Sequence, residues 1–387
     1  MNRKEFLKIA SILGVHLSAF PAYSKYRSNF TKRNSSKKVL IIGAGAAGLS
    51  AGHLLQQQGV DFKILEASAG YGGRMKTLND FVDYPIPLGA EWITASTLPF
   101  NLIAGNNSAS KKIQTIGYTQ DDEYGVWYNG KLVRSDLGTL LYRKFINSSW
   151  LDFFEEFVLP SVADKISYQS VVRSINYLGK EVVVNTANKE FVADQVIVTV
   201  PLKILQNKKI EFNPALPSKK LEVIDSAVIW GGLKVFIEFK EKFYPAFVDL
   251  IIHPETDGQV SYYDASFGQN TESHVLGMFA VGKPAKERGE LNNDELKSYI
   301  LTELDEIFSN QATPSYLRHV VQNWSEEPYI ESAYISDHSE VKTVRQLQKS
   351  VDGKIYFAGD CYTSGQDWGN VHNAVESARD CITKIIS

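Results

Sequence analysis

Residues able to do chemistry fall in three places along the 387-residue chain. The first is Gly43-Ala44-Gly45-Ala46-Ala47-Gly48, set between the apolar run Val39-Leu40-Ile41-Ile42 and a helical segment from Ala46 to Gln58. Gly43 allows a tight turn, Gly45 lets the backbone approach a pyrophosphate, and Gly48 lets helix and strand pack closely. The helix N-terminus offers N–H groups and a positive dipole end to phosphates. Glu66 lies about 20 residues further on, where a carboxylate accepts hydrogen bonds from ribose hydroxyls. An acid at this point disfavours a 2′-phosphate, which leaves FAD or NAD. The second place is Lys234, within Gly231-Gly232-Leu233-Lys234-Val235-Phe236-Ile237-Glu238-Phe239. The third is Lys354-Ile355-Tyr356-Phe357-Ala358-Gly359-Asp360 with the helical segment that begins near Val371.

The elements that must position these residues follow from pattern. Val39 to Ile42 is β-branched and apolar throughout, as a central parallel strand buried on both faces requires. Gly59 stops the helix, and Asp61-Phe62-Lys63-Ile64-Leu65 forms a second strand ending in Glu66. Alternation puts Lys234, Phe236 and Glu238 on one strand face and Leu233, Val235, Ile237 and Phe239 on the other. By pattern alone this is a strand with a wet face. Asn293 to Phe308 is an amphipathic helix with Leu296, Ile300, Leu304, Ile307 and Phe308 on its apolar side.

Composition narrows the class. The chain is 44% hydrophobic, 22% charged and 12% aromatic with net charge −3. That is too long for one ordinary core and far from disordered composition. Scattered Lys and Arg without a basic face argue against nucleic-acid binding. Two cysteines exclude a disulfide scaffold and a cysteine-built metal site, and no metal is expected. Cys361 and Cys381 would stand roughly 20 Å or more apart along a helix, so both should be free thiols.

Gly70-Tyr71-Gly72-Gly73-Arg74-Met75-Lys76-Thr77 follows Glu66, and Pro87-Leu88-Gly89-Ala90-Glu91-Trp92-Ile93 comes next. Here the chain resembles the flavin-containing amine oxidases: monoamine oxidases, polyamine oxidases and L-amino-acid oxidases. The resemblance continues through Val171-Val172-Arg173, Ala193 to Leu202, Asn323 to Tyr334 and the C-terminal block. It implies an FAD-binding Rossmann-like domain of the GR2 type, α/β, interleaved with a smaller α+β substrate domain of sheet and helices. The FAD part would comprise residues 37–92, 165–223 and 344–387, and the substrate part 93–164 and 224–343. Gly43, Gly45, Ala47, Gly48, Glu66, Ala67, Gly73, Arg74, Gly89, Ala90, Glu91, Trp92, Val172, Gly359, Asp360, Asn370 and Val371 are the implied cofactor contacts. Lys234 would hold a water against the flavin, assisting proton movement and dioxygen reduction. Trp324 would form an aromatic wall, and Tyr334 would guide a small-molecule amine, with Trp368 and Asn370 completing the substrate pocket.

Departures from the family pattern refine this. Ala333 stands where some members carry a cysteine thioether to FAD, so noncovalent FAD is expected. Asn370 replaces a cage tyrosine, Asn373 a glycine, and Thr94 a histidine that polyamine oxidases often have, so a polyamine substrate is not expected. Asp360 replaces the usual glutamate. Arg134 and Arg143 are candidates for recognising a substrate carboxylate. The resulting function is oxidation of an amine to an imine with O2 as acceptor and hydrogen peroxide as product. The alternatives are a desaturase or protoporphyrinogen-type oxidase, or a flavin-binding protein without turnover. Met1 to Tyr26 carries a basic start (Asn2-Arg3-Lys4-Glu5-Phe6-Leu7-Lys8), an apolar stretch and then small residues. It resembles a twin-arginine export signal with lysine in the second arginine position, and residues 28–38 read as a linker. Export to the cell envelope is expected, the alternative being a cytoplasmic protein, and no transmembrane anchor is expected.

Overall fold

The computed structural model describes residues 37–93, 103, 113–119, 122–136, 142–250, 257–336, 341–363 and 368–387. The leader-like residues 1–36 and Thr94 lie outside the described residues. The first sheet orders Ile355–Phe357, Gln195–Val198, Lys38–Ile42, Asp61–Leu65 and Ile166–Ser167 side by side, all parallel. Its central strand is buried on both sides, as an all-apolar run demands. Val39 and Ile41 face the helices Ala46–Gln58 and Val371–Ile386, which pack on each other. Leu40 and Ile42 face the opposite core, roofed by the strands Val172–Asn176, Val182–Thr186 and Glu190–Ala193. Cys361 and Cys381 are both free and buried, and they belong to the cores on opposite sides of this sheet.

The second sheet orders Tyr316–Asn323, Gly232–Phe239, His274–Gly282, Gly258–Asp264, Phe247–Leu250, Glu123–Tyr128 and Lys131–Asp136. Neighbours are antiparallel except Phe247–Leu250 with Glu123–Tyr128, which run parallel. Leu233, Val235, Ile237 and Phe239 pack against Leu296, Ile300, Leu304 and Ile307 of the helix Asn293–Ile307. Asn292 and Glu295 close that helix with a reciprocal capping box, the side chains satisfying N–H groups that no helical carbonyl reaches.

The opposite face of Gly232–Phe239 is not wet. Lys234 is 3% exposed and Phe236 fully buried, because the hairpin Thr77–Leu78/Ile86–Pro87 and the chain to Trp92 cover them. Sequence alternation located the two faces and missed the cover, which comes from residues about 150 positions away.

A second difference concerns the boundary near residue 150. Trp150–Phe157, expected in the substrate part, packs its Trp150, Phe153 and Phe154 stripe into the nucleotide-side core with Leu49, Leu54 and Phe62. Ser149 caps the helix by accepting from the Asp152 N–H at 3.3 Å. The i, i+3, i+4 spacing of its apolar residues makes one stripe. No helix among the described residues is long and apolar enough to cross a membrane. Phe153→Ala should therefore destabilise the nucleotide-binding part by about 3–5 kcal/mol in denaturant unfolding. A loss below about 1 kcal/mol would remove this helix from that core.

Candidate active site

The glycine turn is shaped for a close approach. Gly43 has φ 109°, where an L side chain is strained, and its Cβ would also meet Thr199 Oγ1 at 2.8 Å. A Cβ on Gly48 would stand 1.9 Å from the Gly43 carbonyl oxygen, so only glycine lets the helix seat on the strand. A Cβ on Gly45 would meet nothing within 4 Å. That open side, at a helix start that no side chain caps, is what an anionic pyrophosphate requires. Glu66 stands at the end of the second strand and accepts from the Ala44 N–H at 2.6 Å and the Ser68 N–H at 2.8 Å. These bonds aim its carboxylate beside the turn, where ribose hydroxyls would find it, with Ala67 next in the chain. The residues thus fit a dinucleotide.

The Gly72-Gly73-Arg74 turn lies directly on this cradle. The Gly72 N–H donates to the Ala44 carbonyl at 2.8 Å, and a Cβ on Gly73 would stand 3.3 Å from Gly45 Cα. The Arg74 guanidinium meets Asp360 at 2.6 Å and also donates to the Ala333 carbonyl. One side chain so joins the glycine turn, the segment before Tyr334 and the acid that follows the last parallel strand. The Arg74 carbonyl accepts from the Ala90 N–H at 2.9 Å, and a Cβ on Gly89 would stand 2.0 Å from that carbonyl. The Pro87–Trp92 chain therefore lies flat against the cradle.

From its other side that chain is held by Lys234. The ammonium donates to the carbonyls of Pro87 (3.1 Å) and Gly89 (3.0 Å) and to Glu91 Oε2 (2.8 Å), so its three protons are committed to this chain and none is left for the water expected against the flavin. Glu91 also accepts from the Tyr263 hydroxyl at 2.5 Å, and Lys144 ion-pairs with its Oε1 at 3.1 Å. The Glu91, Lys234 and Lys144 side chains are all nearly inaccessible to solvent. Burial works against the charge on Glu91, but Lys234 and Lys144 outweigh it and hold the carboxyl below its usual range. Burial pushes Lys234 down from the ordinary lysine value, with Glu91 opposing. Burial and the neighbouring Glu91 charge drive the Tyr263 phenol far up. Trp92 stacks into the same face, edge-on to Tyr263 at 4.8 Å and 5.9 Å from Phe247.

Residues 154–386 match the model of the flavin-containing amine oxidoreductases, and residues 41–101 match an NAD(P)-binding Rossmann-like domain. The chain belongs to the flavin-containing amine oxidoreductase family. It is 22% identical to polyamine oxidase 3 of Oryza sativa subsp. japonica over 454 residues, covering 94% of this chain and 93% of that one. It is 25% identical to the lysine-specific histone demethylase 1B of Mus musculus over 422 residues, covering 85% of this chain. The chain spans about half the length of that demethylase (50%). Among solved structures, putrescine oxidase bound to putrescine superposes with TM-score 0.74 at 15% identity, over 90% of this chain and 99% of that one. Cyclohexylamine oxidase from Brevibacterium oxydans does so with TM-score 0.74 at 14% identity, over 91% and 100%. These structures share the fold.

FAD is accordingly the cofactor that the cradle holds. Gly43, Gly45, Ala47, Gly48, Glu66, Gly73, Arg74 and Asp360 converge on one end of the parallel sheet, and Gly89 and Ala90 lie against them. Gly359 anchors to Ser377 Oγ at 3.1 Å, which ties the strand end to the C-terminal helix. Val371 is buried in that helix's first turn. Val172 buries its side chain in the core opposite the helices, leaving its backbone in the roofing strand.

The pocket residues sort differently from expectation. Tyr334 stands against Gly369, 3.4 Å from where a Cβ there would lie, and edge-on to Trp230 at 6.0 Å. Trp324 is 4% exposed, gives its Nε1 proton to the Leu88 carbonyl at 2.9 Å and packs on Gly89. It supports the Pro87–Trp92 chain from beneath, because a ring that deep has no open side. Asn370 is turned back, its Nδ2 donating to the Trp368 carbonyl at 3.0 Å, while its N–H is capped by Asn373 Oδ1 at 3.1 Å. Trp368 donates to the Ile335 carbonyl at 3.0 Å and packs on the core on the sheet's opposite side, with Leu40 and Ile42. The Glu91 carboxylate turns from the cradle toward the lysines. Arg134 pairs with Glu123 on the outer hairpin and Arg143 bonds to Thr115, both exposed, so neither enters the site.

Lys144 and Tyr263 were missed. Lys144 sits in a three-residue strand, Arg143–Phe145, too short to show alternation. Tyr263 follows an equally aromatic Tyr262 that faces the other way, into the helix-backed core. Arg74→Ala should weaken FAD binding at least about tenfold, some 1.4 kcal/mol, measured by equilibrium titration of the apoprotein. Unchanged affinity would exclude the Arg74–Asp360 bridge from the cradle.

Proposed function

We propose that this chain is an FAD-dependent oxidase that converts an amine to an imine, with dioxygen as the final acceptor and hydrogen peroxide as the product. The observation that carries this reading is Lys234. A buried ammonium bonded to Pro87 and Gly89 lies behind the chain that rests on Arg74 and the nucleotide cradle. Bound FAD supplies the acceptor for a hydride equivalent from the carbon beside the amine nitrogen. The protein's own contributions are orientation, desolvation and proton management.

Tyr334 and Trp230 offer an aromatic corner at the junction of the two parts, beside the start of the C-terminal helix. An aliphatic amine with a pKa near 10 must lose its proton before it can give up hydride, at about 4 kcal/mol at pH 7. An aromatic surface favours the neutral form by desolvating it. With no carboxylate-binding arginine at Arg134 or Arg143, the reading favours an amine without a carboxylate over an amino acid. That the putrescine and cyclohexylamine oxidases share the fold supports simple amines, and the polyamine oxidases support longer ones. Ala333 carries a methyl group and no nucleophile, which supports noncovalent FAD.

The test is anaerobic mixing of the purified yellow protein with a panel of monoamines, diamines, polyamines and amino acids. At least one amine should bleach the flavin absorbance, and readmitted oxygen should restore it with stoichiometric peroxide. Tyr334→Ala should retain FAD while kcat/KM for that amine falls about tenfold or more. An intact flavin band with every amine would sink the proposal.

A further inference from the structure

The Lys234 reading needs one lysine, and the structure buries two on a single carboxylate. Lys144 reaches Glu91 from the strand Arg143–Phe145 and also donates to the carbonyls of Asp264 (3.2 Å) and Ala265 (2.9 Å). Lys234 has the matching arrangement, two carbonyls and the other Glu91 oxygen. Lys234 therefore has three acceptors for its three protons, whereas Lys144 gives hydrogen bonds to two carbonyls and faces Glu91 Oε1 as an ion pair. Neutral Lys234 would have only two protons to give, leaving Pro87, Gly89 or Glu91 facing a lone pair. Its protonation and the seating of the Pro87–Trp92 chain are thus one event.

We propose that Glu91 and Lys144 are positioning residues for Lys234: Glu91 anchors the Lys234 ammonium and Lys144 supplies an opposing charge that loosens its hold on the proton. The proposal rests on the reading of Lys234 as the lysine of the flavin site. One carboxylate between two ammonium groups leaves a net positive charge in a site closed to water, and like charges disfavour each other's protonated form. The direction of the Lys234 shift, downward with Lys144 contributing, agrees.

The charged groups around this cluster are accounted for element by element. The Gly258–Asp264 strand brings Tyr263 onto Glu91, while its Asp264 carboxylate is occupied by Lys242 at 2.7 Å. Tyr84 and Tyr118 both feel Glu91 and Asp264, and burial keeps them neutral through the ordinary pH range. From the edge strand comes neutral Gln322, bonded to Glu327, which pairs with Lys76. On Lys234's own strand Glu238 is taken by Arg318. None of these supplies a second counter-charge to the two lysines.

Two substitutions should move the same proton in opposite directions, which a merely structural role would not do. Glu91→Gln removes the shared counter-charge, so Lys234 should deprotonate at lower pH, by about one unit or more. Lys144→Met removes the competitor, so Lys234 should hold its proton to a pH higher by about one unit or more. Lys144→Arg keeps the cation and should leave the pH dependence close to that of the parent. The primary readout is the midpoint potential of the bound FAD across roughly pH 6 to 10, with Lys234→Met identifying the break that belongs to Lys234. The second is NMR titration of 13C-labelled lysine side chains in the same proteins, which reads Lys234 without reference to flavin.

Opposite shifts in the two variants support the proposal. Shifts of the same sign, no shift, or a break that persists in Lys234→Met overturn it. Failure of the parent protein to bind FAD would overturn the oxidase reading instead, and the NMR shifts would still decide the roles of Glu91 and Lys144. Should Glu91→Gln not fold, the upward shift in Lys144→Met and its absence in Lys144→Arg carry the decision.

Discussion

The structure depends on a buried carboxylate. Glu91 lies between the ammonium groups of Lys234 and Lys144 and under the Tyr263 hydroxyl, in a volume that water does not reach. Charges in such a place are costly to desolvate and are tolerated only when paired and hydrogen-bonded with good geometry. Here the pairing is supplied by residues from four separate stretches of chain, Pro87–Glu91, Lys144, Lys234 and Tyr263, with Glu91 Oε2 hydrogen-bonded and Oε1 held by its ion pair to Lys144. Moving Glu91, Lys144 or Lys234 would leave a buried charge unpaired, and removing one partner from such a pair costs about 3–5 kcal/mol. The cluster therefore works as a lock on geometry more than as a source of stability.

That lock matters because of what the Pro87–Trp92 chain does. On one side it is bonded to the Arg74 backbone, and through Arg74 to Asp360, Ala333 and the glycine turn. On the other it covers the sheet that carries Lys234. It is the common wall of the two parts, and the three acceptors it presents to Lys234 fix how the substrate sheet meets the nucleotide cradle. Gly89 makes the close approach to Arg74 possible, and Trp324 fills the space behind it. A family signature that reads in sequence as a flavin contact is, in the structure, first a structural joint.

The parts legible in sequence were those whose signals are local. The strand–turn–helix around Gly43–Gly48 could be placed to the residue, because glycine spacing and an all-apolar strand carry their own meaning. The helices Asn293–Ile307 and Val371–Ile386 were legible from apolar periodicity and end residues. What could not be read was the partner of each face. Lys234 alternates like a solvated lysine, and only the cover by Ile86 and Leu88 makes it buried. Trp150–Phe157 is amphipathic in any context, and its stripe does not say which of two cores it enters. Trp324, Trp368 and Asn370 were placed in the pocket by resemblance. Hydrogen bonds to Leu88, Ile335 and Trp368 hold them in place, and only Trp324, 4% exposed, is buried too deeply to form an open wall.

Retention of the cofactor depends on the same close packing. A Cβ on Gly232 would stand 2.7 Å from the Ala333 Cβ, so position 333 lies hard against the substrate sheet. Alanine there offers no nucleophile, and its carbonyl is already committed to Arg74. Retention then falls to the cradle alone: backbone N–H groups at the turn, the Glu66 carboxylate, the Arg74–Asp360 bridge and the dipole of the C-terminal helix. Each is a modest term, and charge-assisted hydrogen bonds of this kind contribute about 1.5–3 kcal/mol each. Together they suffice only if their geometry is kept, and that geometry runs through Arg74 to the chain that Glu91 holds in place. Cofactor retention and the setting of Lys234 are therefore two ends of one constraint, so a substitution at Glu91 acts on both.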